Sequence, residues 1–274
     1  MTRLGMGAPL ALLLAGVCTW TNSAVAAETA AERGKRVVDE AVQALGGDAF
    51  LHMNNRVESG RMYSFYNARL SGLSNAKIYT RYLDPKPAEA RLLERESYLA
   101  KAGKEEQSAV LLTEKNGWEI TFRGARPLED VRYVNFQDST LNNVLYILRQ
   151  RLQEPELSYY SQGSDRYENR PIEIVDITDS RGRTVTVYFD QRTKLPVRQS
   201  FRRRNPEFKD FDTEVTIFGL YRSIDGVMWP CNIRRERNGE KIFEMFSDQV
   251  EMNKTLPDTL FALPGEMKVL PKAK

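Results

Sequence analysis

Four glycine-containing dipeptides constrain this chain more than any other feature: Asn116-Gly117, Arg181-Gly182, Asp225-Gly226 and Asn238-Gly239. Each lies between runs of β-branched and aromatic residues. Asn-Gly and Asp-Gly readily supply the two positive-φ residues of a tight turn whose twist matches that of the strands it joins. A chain punctuated this way places sequence neighbours side by side and antiparallel. Strand-like runs occupy residues 57–66, 76–83, 91–99, 109–114 and 118–122 before the midpoint. After it they occupy 157–162, 172–178, 184–190, 197–203, 213–224, 228–237 and 241–252. Period-two alternation is clear in Thr184 to Asp190, where Val185, Val187 and Phe189 alternate with Thr184, Thr186 and Tyr188. The pattern reads as about ten strands, mostly hairpin-linked.

Two segments have helical period instead. Val37, Val38, Ala41, Val42 and Leu45 form one stripe that stops at Gly46-Gly47, a C-cap signal. Leu141, Val144, Leu145, Leu148 and Leu152 form a second stripe, with Asp138-Ser139 placed to cap it and Pro155 to end it. From Pro257 the tail reads as loop and short turn. The fold class is therefore mainly β (α+β): a single large antiparallel sheet, curled, with helices on its concave face. A space between sheet and helices that side chains do not fill becomes an apolar ligand pocket.

The N-terminus predicts export. Arg3 precedes the apolar run Pro9 to Val17, and Ala24-Val25-Ala26 is a small-x-small cleavage site. Residues 1–26 are thus read as a signal peptide and 27–274 as a single domain, in a periplasmic protein. The run is too short to span a bilayer. Cys18 follows Ala15-Gly16-Val17, and Val17 fits a lipoprotein cleavage site poorly, so Cys18 is expected to leave with the leader rather than carry a lipid anchor. Cys231 then remains alone, which excludes an internal disulfide and rests the fold on its core. With 40 Lys and Arg against 37 Asp and Glu, the near-neutral chain gives no reason to expect a nucleic-acid partner. A monomer is expected.

Three stretches resemble the LolA-like family of outer-membrane lipoprotein-sorting proteins. Val185 to Arg198 (VTVYFDQRTKLPVR) looks like that family's D-x-x-T-x-L-P turn between neighbouring strands. Asp225-Gly-Val-Met-Trp-Pro230 is similar to its hairpin before a late strand, and Leu256-Pro-Asp-Thr-Leu-Phe261 to its C-terminal segment. The resemblance covers most of the mature chain. It implies an unclosed half-barrel under a helical lid, with a cavity that shelters acyl chains on the way to the outer membrane. Its partners would be an acyl lipid or a lipoprotein, and an inner-membrane transporter of ABC or RND type. The family's lid-latching Arg-Pro step has no clear counterpart in Asp84 to Arg91, where Lys86 and Arg91 are the candidates.

The expected cavity lining is Tyr63, Phe65, Tyr79, Leu141, Val144, Leu145, Leu148, Phe189 and Phe218; each could equally be plain core. No catalytic, cofactor or metal site is expected, and the chain reads as a non-enzyme. His52 is the only histidine, set in a loop and read as a surface residue without a catalytic partner. Glu94 and Glu96 share a strand face, as Glu114 and Glu119 could across a hairpin, and both pairs read as solvated carboxylates. Cys231, at a strand start, reads as a small buried hydrophobe. Arg202, Arg203, Arg204, Arg234, Arg235 and Arg237 form either a solvated strand edge or a basic patch for anionic headgroups. An envelope sensor that binds an anti-sigma factor or a transporter component through the same fold is the competing function.

Overall fold

The computed structural model describes residues 1–2, 27–100, 105–205 and 208–272. All but the first two residues of the predicted leader, with its cleavage site and Cys18, lie outside the described residues. The strands, in chain order, are β1 (Asn55–Tyr66), β2 (Arg69–Tyr82), β3 (Leu92–Leu99), β4 (Glu106–Leu112), β5 (Gly117–Thr121) and β6 (Gly124–Pro127). After the central helices come β7 (Ser158–Tyr167), β8 (Arg170–Thr178), β9 (Thr184–Asp190), β10 (Pro196–Arg204), β11 (Phe211–Ile224), β12 (Val227–Arg237) and β13 (Glu240–Met252). All thirteen belong to one sheet in the order β6-β5-β4-β3-β2-β1-β13-β12-β11-β10-β9-β8-β7. Every pairing between these strands is antiparallel. The sheet is unclosed, with β6 and β7 as its edges, and this is the half-barrel that the sequence implies.

The order explains the lid. The first and last strands pair at the centre, and β6 and β7 are consecutive in the chain yet lie at opposite edges. The connection between them must cross the sheet, and helices occupy it: α3 (Asp130–Leu141) and α4 (Val144–Tyr146), which runs on into a π-helical turn at Ile147–Arg151. Before β1 come α1 (Ala30–Leu45) and α2 (Asp48–Leu51). Thr29 and Glu32 cap α1 reciprocally, and Gly46 closes it. Its stripe of Val37, Val38, Ala41, Val42 and Leu45 is buried as expected. Gly34 lets the helix lie directly on β7, because a Cβ there would stand 3.0 Å from the Tyr159 and Tyr160 backbone.

The main core joins α1 and the lid to one side of the sheet. Val38, Leu45, Phe50, Ile147, Leu148, Val175, Val187 and Phe189 meet there with Phe218 and Trp229. A second cluster covers the outer face of β2–β6. There Leu256, Leu260, Phe261 and Met267 of the tail pack on Tyr79, Leu93, Leu111 and Ile120. A short 3-10 turn at Asp258–Phe261 matches the expected loop-and-turn tail.

Three expectations about elements are corrected. The sheet has thirteen strands rather than about ten: the short β6 (Gly124–Pro127) matches none of the runs seen in sequence, and two tight hairpins carry no glycine. Asn67-Ala68 (φ 49° and 57°) and Glu168-Asn169 (φ 48° and 62°) adopt the same turn as Asp225-Gly226 and Asn238-Gly239. Strands β2 and β7 therefore extend well beyond the runs visible in sequence. The central helix begins near Asp130, ahead of Asp138. It also breaks at Asn142-Asn143, so Leu141 and Leu148 do not share one continuous helix. The break is stable because Gln199 of β10, only 2% exposed, mends it from below. Its Oε1 accepts from Val144 N (2.7 Å) and its Nε2 donates to Asn142 O (2.9 Å). Asn143 caps the new start by accepting from Leu145 N (2.9 Å).

Candidate binding cavity

The lid is tied down on both flanks. Arg151, 3% exposed, donates to Leu141 O (2.6 Å), to Glu154 (2.7 Å) and to Asp179 in the β8–β9 turn (2.9 Å). Burial alone would raise the Asp179 carboxyl; hydrogen bonds from Arg183 and Arg151 overcome this and hold it down at about 2. Arg149 donates to Met53 O (2.7 Å), and Gln150 to Leu83 O (2.8 Å). Arg203 of β10 reaches up to Ser139 Oγ (2.6 Å) on α3. The latch is thus built from lid residues and Arg203. Lys86 faces Glu89 (3.7 Å), and Arg91 meets the lid through its backbone N–H, which donates to Tyr146 Oη (2.7 Å).

Between this lid and the sheet centre lies a cavity of about 400 Å³. Strand register builds its floor. Inward positions of β1, β2 and β3 align in rows: Arg56 beside Thr80 beside Glu94, and Glu58 beside Ile78 beside Glu96. Met62 faces Met245, and Ser64 faces Phe243. Trp229, Ile233 and Arg235 come from β12, and Phe136, Ser139, Leu145 and Tyr146 from the lid. Exposure locates the mouth. Glu58 and Thr80 at one end are 2% and 1% exposed, whereas Ser64 and Arg235 at the other are exposed.

The deep end is polar and bonded. Arg56 is paired with Glu58 and stacks on the Trp229 ring at 4.3 Å. It donates to Tyr82 Oη (2.9 Å) and Thr80 Oγ1 (3.1 Å), and Thr80 donates onward to Glu94 (3.1 Å). Glu58 also accepts from Trp229 Nε1 (3.2 Å) and Ser247 Oγ (2.7 Å). Along β3, Tyr98 donates to Glu96 (2.8 Å). Burial first, and the neighbouring Glu96 charge second, raise the Glu94 carboxyl to about 7 against the pull of Arg56. The expectation that Glu94 and Glu96 are solvated surface groups is therefore corrected: both line the cavity. Among the described residues no group of three or more His, Cys, Asp or Glu is placed to hold a metal ion.

Of the nine residues expected to line a cavity, Leu145 does so here. Val144, Leu148, Phe189 and Phe218 lie in the main core, and Phe218 also borders a separate groove of about 740 Å³. Leu141 packs with Leu92 and Tyr146. Tyr63 points to the opposite face, edge-on to Phe246 (6.1 Å). Phe65 sits near the β1–β2 tip under the Lys241 ammonium (4.2 Å), and Tyr79 lies beneath the C-terminal tail. The lining residues not singled out from sequence include Arg56, Met62, Ile78, Thr80, Trp229, Ile233, Phe243 and Met245. Several follow from alternation once the facing side of β1 is known.

Other expectations fall into place. Cys231 is buried, which pushes its thiol up, and its Sγ lies near Trp229 O (3.8 Å). His52 is exposed at the end of α2. Glu114 and Glu119 pair with Arg91 and Arg132 respectively. The arginines do not act as one patch. Arg203 and Arg237 share Glu214, Arg202 stacks on Phe211 (4.5 Å), and Arg235 lies at the mouth over Phe243 (5.5 Å).

An open antiparallel half-barrel, roofed by the helices that cross from edge to edge, defines a fold class whose concave side encloses a space. Solved structures show a similar fold. A DUF1329 family protein from Desulfovibrio piger superposes with a TM-score of 0.56 at 15% identity, covering 84% of this chain and 97% of the other. An outer membrane lipoprotein-sorting protein domain from Vibrio parahaemolyticus does so with 0.56 at 9% identity, covering 84% and 97%. A LolA superfamily protein from Nitrosomonas europaea gives 0.48 at 12% identity, covering 84% and 97%. The chain shares its fold with the DUF1329 protein and the outer membrane lipoprotein-sorting domain, the kind of fold that its sequence resemblance implies. No family model and no curated protein matches the sequence.

Proposed function

We propose that this chain is an exported, periplasmic carrier that shelters an acyl chain of a lipid or lipoprotein between its sheet and lid for passage toward the outer membrane. The cavity between the lid and the sheet centre carries the reading. Its volume of about 400 Å³ lies in the range of small-molecule sites, roughly 300–1,000 Å³. Leu145, Ile78, Met62, Met245 and Ile233 give it an apolar wall. Each methylene buried there contributes about 0.8 kcal/mol, so one chain suffices to hold cargo. The likeness to a lipoprotein-sorting domain supports the same reading. Among the described residues no helix is long and apolar enough to cross a membrane. The carrier would take its cargo from an inner-membrane transporter of ABC or RND type.

The test is native mass spectrometry of the protein recovered from its own periplasm, followed by organic extraction. A co-purifying acyl lipid or lipoprotein, lost in Leu145→Glu, is the expected result. An apo mass, together with no displacement of a fluorescent fatty-acid probe, would sink the proposal. A stable protein partner recovered without lipid would point to the sensor reading instead.

A further inference from the structure

The cavity is not a uniformly greasy sleeve, and its charges select among possible occupants. Three carboxylates line it, those of Glu58, Glu94 and Glu96, against two cations, Arg56 and Arg235. Arg56 is committed: it pairs with Glu58 and stacks on Trp229. Arg235 sits over Phe243 at the mouth. Among the described residues neither Glu94 nor Glu96 has an ion-pair partner. Glu94 accepts one hydrogen bond from Thr80 and Glu96 one from Tyr98, so each carboxylate keeps further acceptor sites. They lie two residues apart on β3 and so on one side of the same strand, with Ile78 beside Glu96 in the register. A neutral or anionic ligand would leave Glu96 without an ion-pair partner and Glu94 with only the pull of Arg56 and Arg235, neither of which is paired to it. A ligand that brings a positive charge supplies the partner.

We propose that the occupant is a cationic amphiphile with an amine-type head, held by Glu94 and Glu96 while its chain runs along Met62, Ile78, Leu145 and Met245. This rests on the carrier reading and names the ligand class for the same cavity. Burial holds a proton on Glu94 up to about 7, and an ammonium beside it would take that proton's place. Charge-assisted hydrogen bonds from an ammonium to two carboxylates are about twice as strong as neutral ones. The head is therefore distinguished from a hydroxyl of the same size.

Three probes with one chain and three heads test it: dodecylamine, dodecanol and dodecanoate, titrated against the mature protein by displacement of a fluorescent apolar probe and by calorimetry. The amine is expected to bind at least about tenfold more tightly than the alcohol, a margin of about 1.4 kcal/mol, and the carboxylate most weakly. In Glu96→Gln and Glu94→Gln the amine's advantage should fall toward the alcohol's affinity, with alcohol binding kept. Equal or tighter binding of the alcohol or the carboxylate by the unaltered protein overturns the assignment and leaves the carrier reading standing. Failure of all three to bind overturns both. The wild-type comparison needs no variant, so a substitution that unfolds the protein does not blunt it. Extraction from the native source separates the two origins of such a head. A low-mass amine-bearing lipid and an acylated polypeptide with a free amine both fit, whereas a co-purified anionic or neutral lipid alone counts against the proposal.

Discussion

The two sides of the concave face are built on opposite plans. On the β7–β11 side, inward positions are Val175, Ile177, Val185, Val187 and Phe201, and the stripe of α1 and residues of the lid fill the space above them. On the β1–β3 side, inward positions are Arg56, Glu58, Met62, Thr80, Glu94 and Glu96, and α3 roofs them without filling the gap. Close packing gains dispersion and burial energy at every contact, whereas a polar wall cannot be collapsed onto an apolar helix without stranding its charges. The cavity persists because part of its wall, at the deep end and along β3, is polar. The packed side supplies the stability and the open side the site.

The largest expected effect lies where the lid meets the packed side. Asp179→Ala leaves Arg151 buried with one of its anions gone. Removing one partner of a buried pair costs about 3–5 kcal/mol. Urea unfolding should register that loss, and a change below about 1 kcal/mol would mean that Glu154 and the Leu141 carbonyl suffice to hold Arg151. The comparison of sides is next tested by matched truncations. Leu148→Ala, in the filled core, should cost about 2–5 kcal/mol, and Ile233→Ala, on the cavity wall, well under half as much. Equal costs would mean that the wall around Ile233 is as tightly packed as the core.

A third effect has the opposite sign. The folded protein keeps a proton on Glu94 up to about 7, whereas the ordinary carboxyl value is 4.5. Below that value both states are protonated and the group is neutral in its effect. As pH rises through the window between the two values, the unfolded chain gives up its proton first, and the folded state loses stability relative to it. Above about 7 the whole penalty is present, on the order of 3 kcal/mol. Glu94→Gln should therefore stabilise the apo protein at pH 8 and leave it nearly unchanged at pH 4. Thermal melts at the two pH values check this, and equal shifts at both would remove burial as the cause.

How far the sequence reaches follows the same division. The packed side was legible: α1's stripe, the alternation of β9 and the turns at Asp225-Gly226 and Asn238-Gly239 are local signals, and each appears where the pattern puts it, whereas Asn116-Gly117 joins β4 and β5 with Gly117 already in the strand and no positive φ. Asn67-Ala68 was not legible, because a tight turn formed by a residue with a Cβ leaves no mark in composition. The broken lid was illegible for another reason. Asn142-Asn143 can end a helix only because Gln199, more than fifty residues later, takes up its backbone groups. The cavity wall was hidden by its own chemistry. On β3, Leu92, Glu94, Glu96 and Tyr98 face in and Leu93, Arg95, Ser97 and Leu99 face out, so both faces mix apolar and polar residues. Period-two reasoning has nothing to choose between. Tyr79 illustrates the converse, since its face looks like cavity lining until the tail covers it.

The smallest predicted effect concerns motion more than stability. Arg203 joins the sheet to α3 through a short hydrogen bond to Ser139 (2.6 Å) and a longer one to Asn135 O (3.5 Å), and it keeps Glu214 nearby when the Ser139 hydroxyl is gone. Ser139→Ala should cost no more than about 1 kcal/mol. Ser139 also lines the cavity and belongs to the helix that roofs it. If α3 must lift for cargo to pass, the loss should appear as faster release of a bound acyl probe, by up to about fivefold at that energy. The overall fold and the melting temperature would stay nearly the same. Stopped-flow dissociation compares this variant with Leu152→Ala on the packed side, which should lower stability without speeding release to the same degree. Unchanged release in Ser139→Ala would place the gate elsewhere on the lid and leave α3 as a fixed roof.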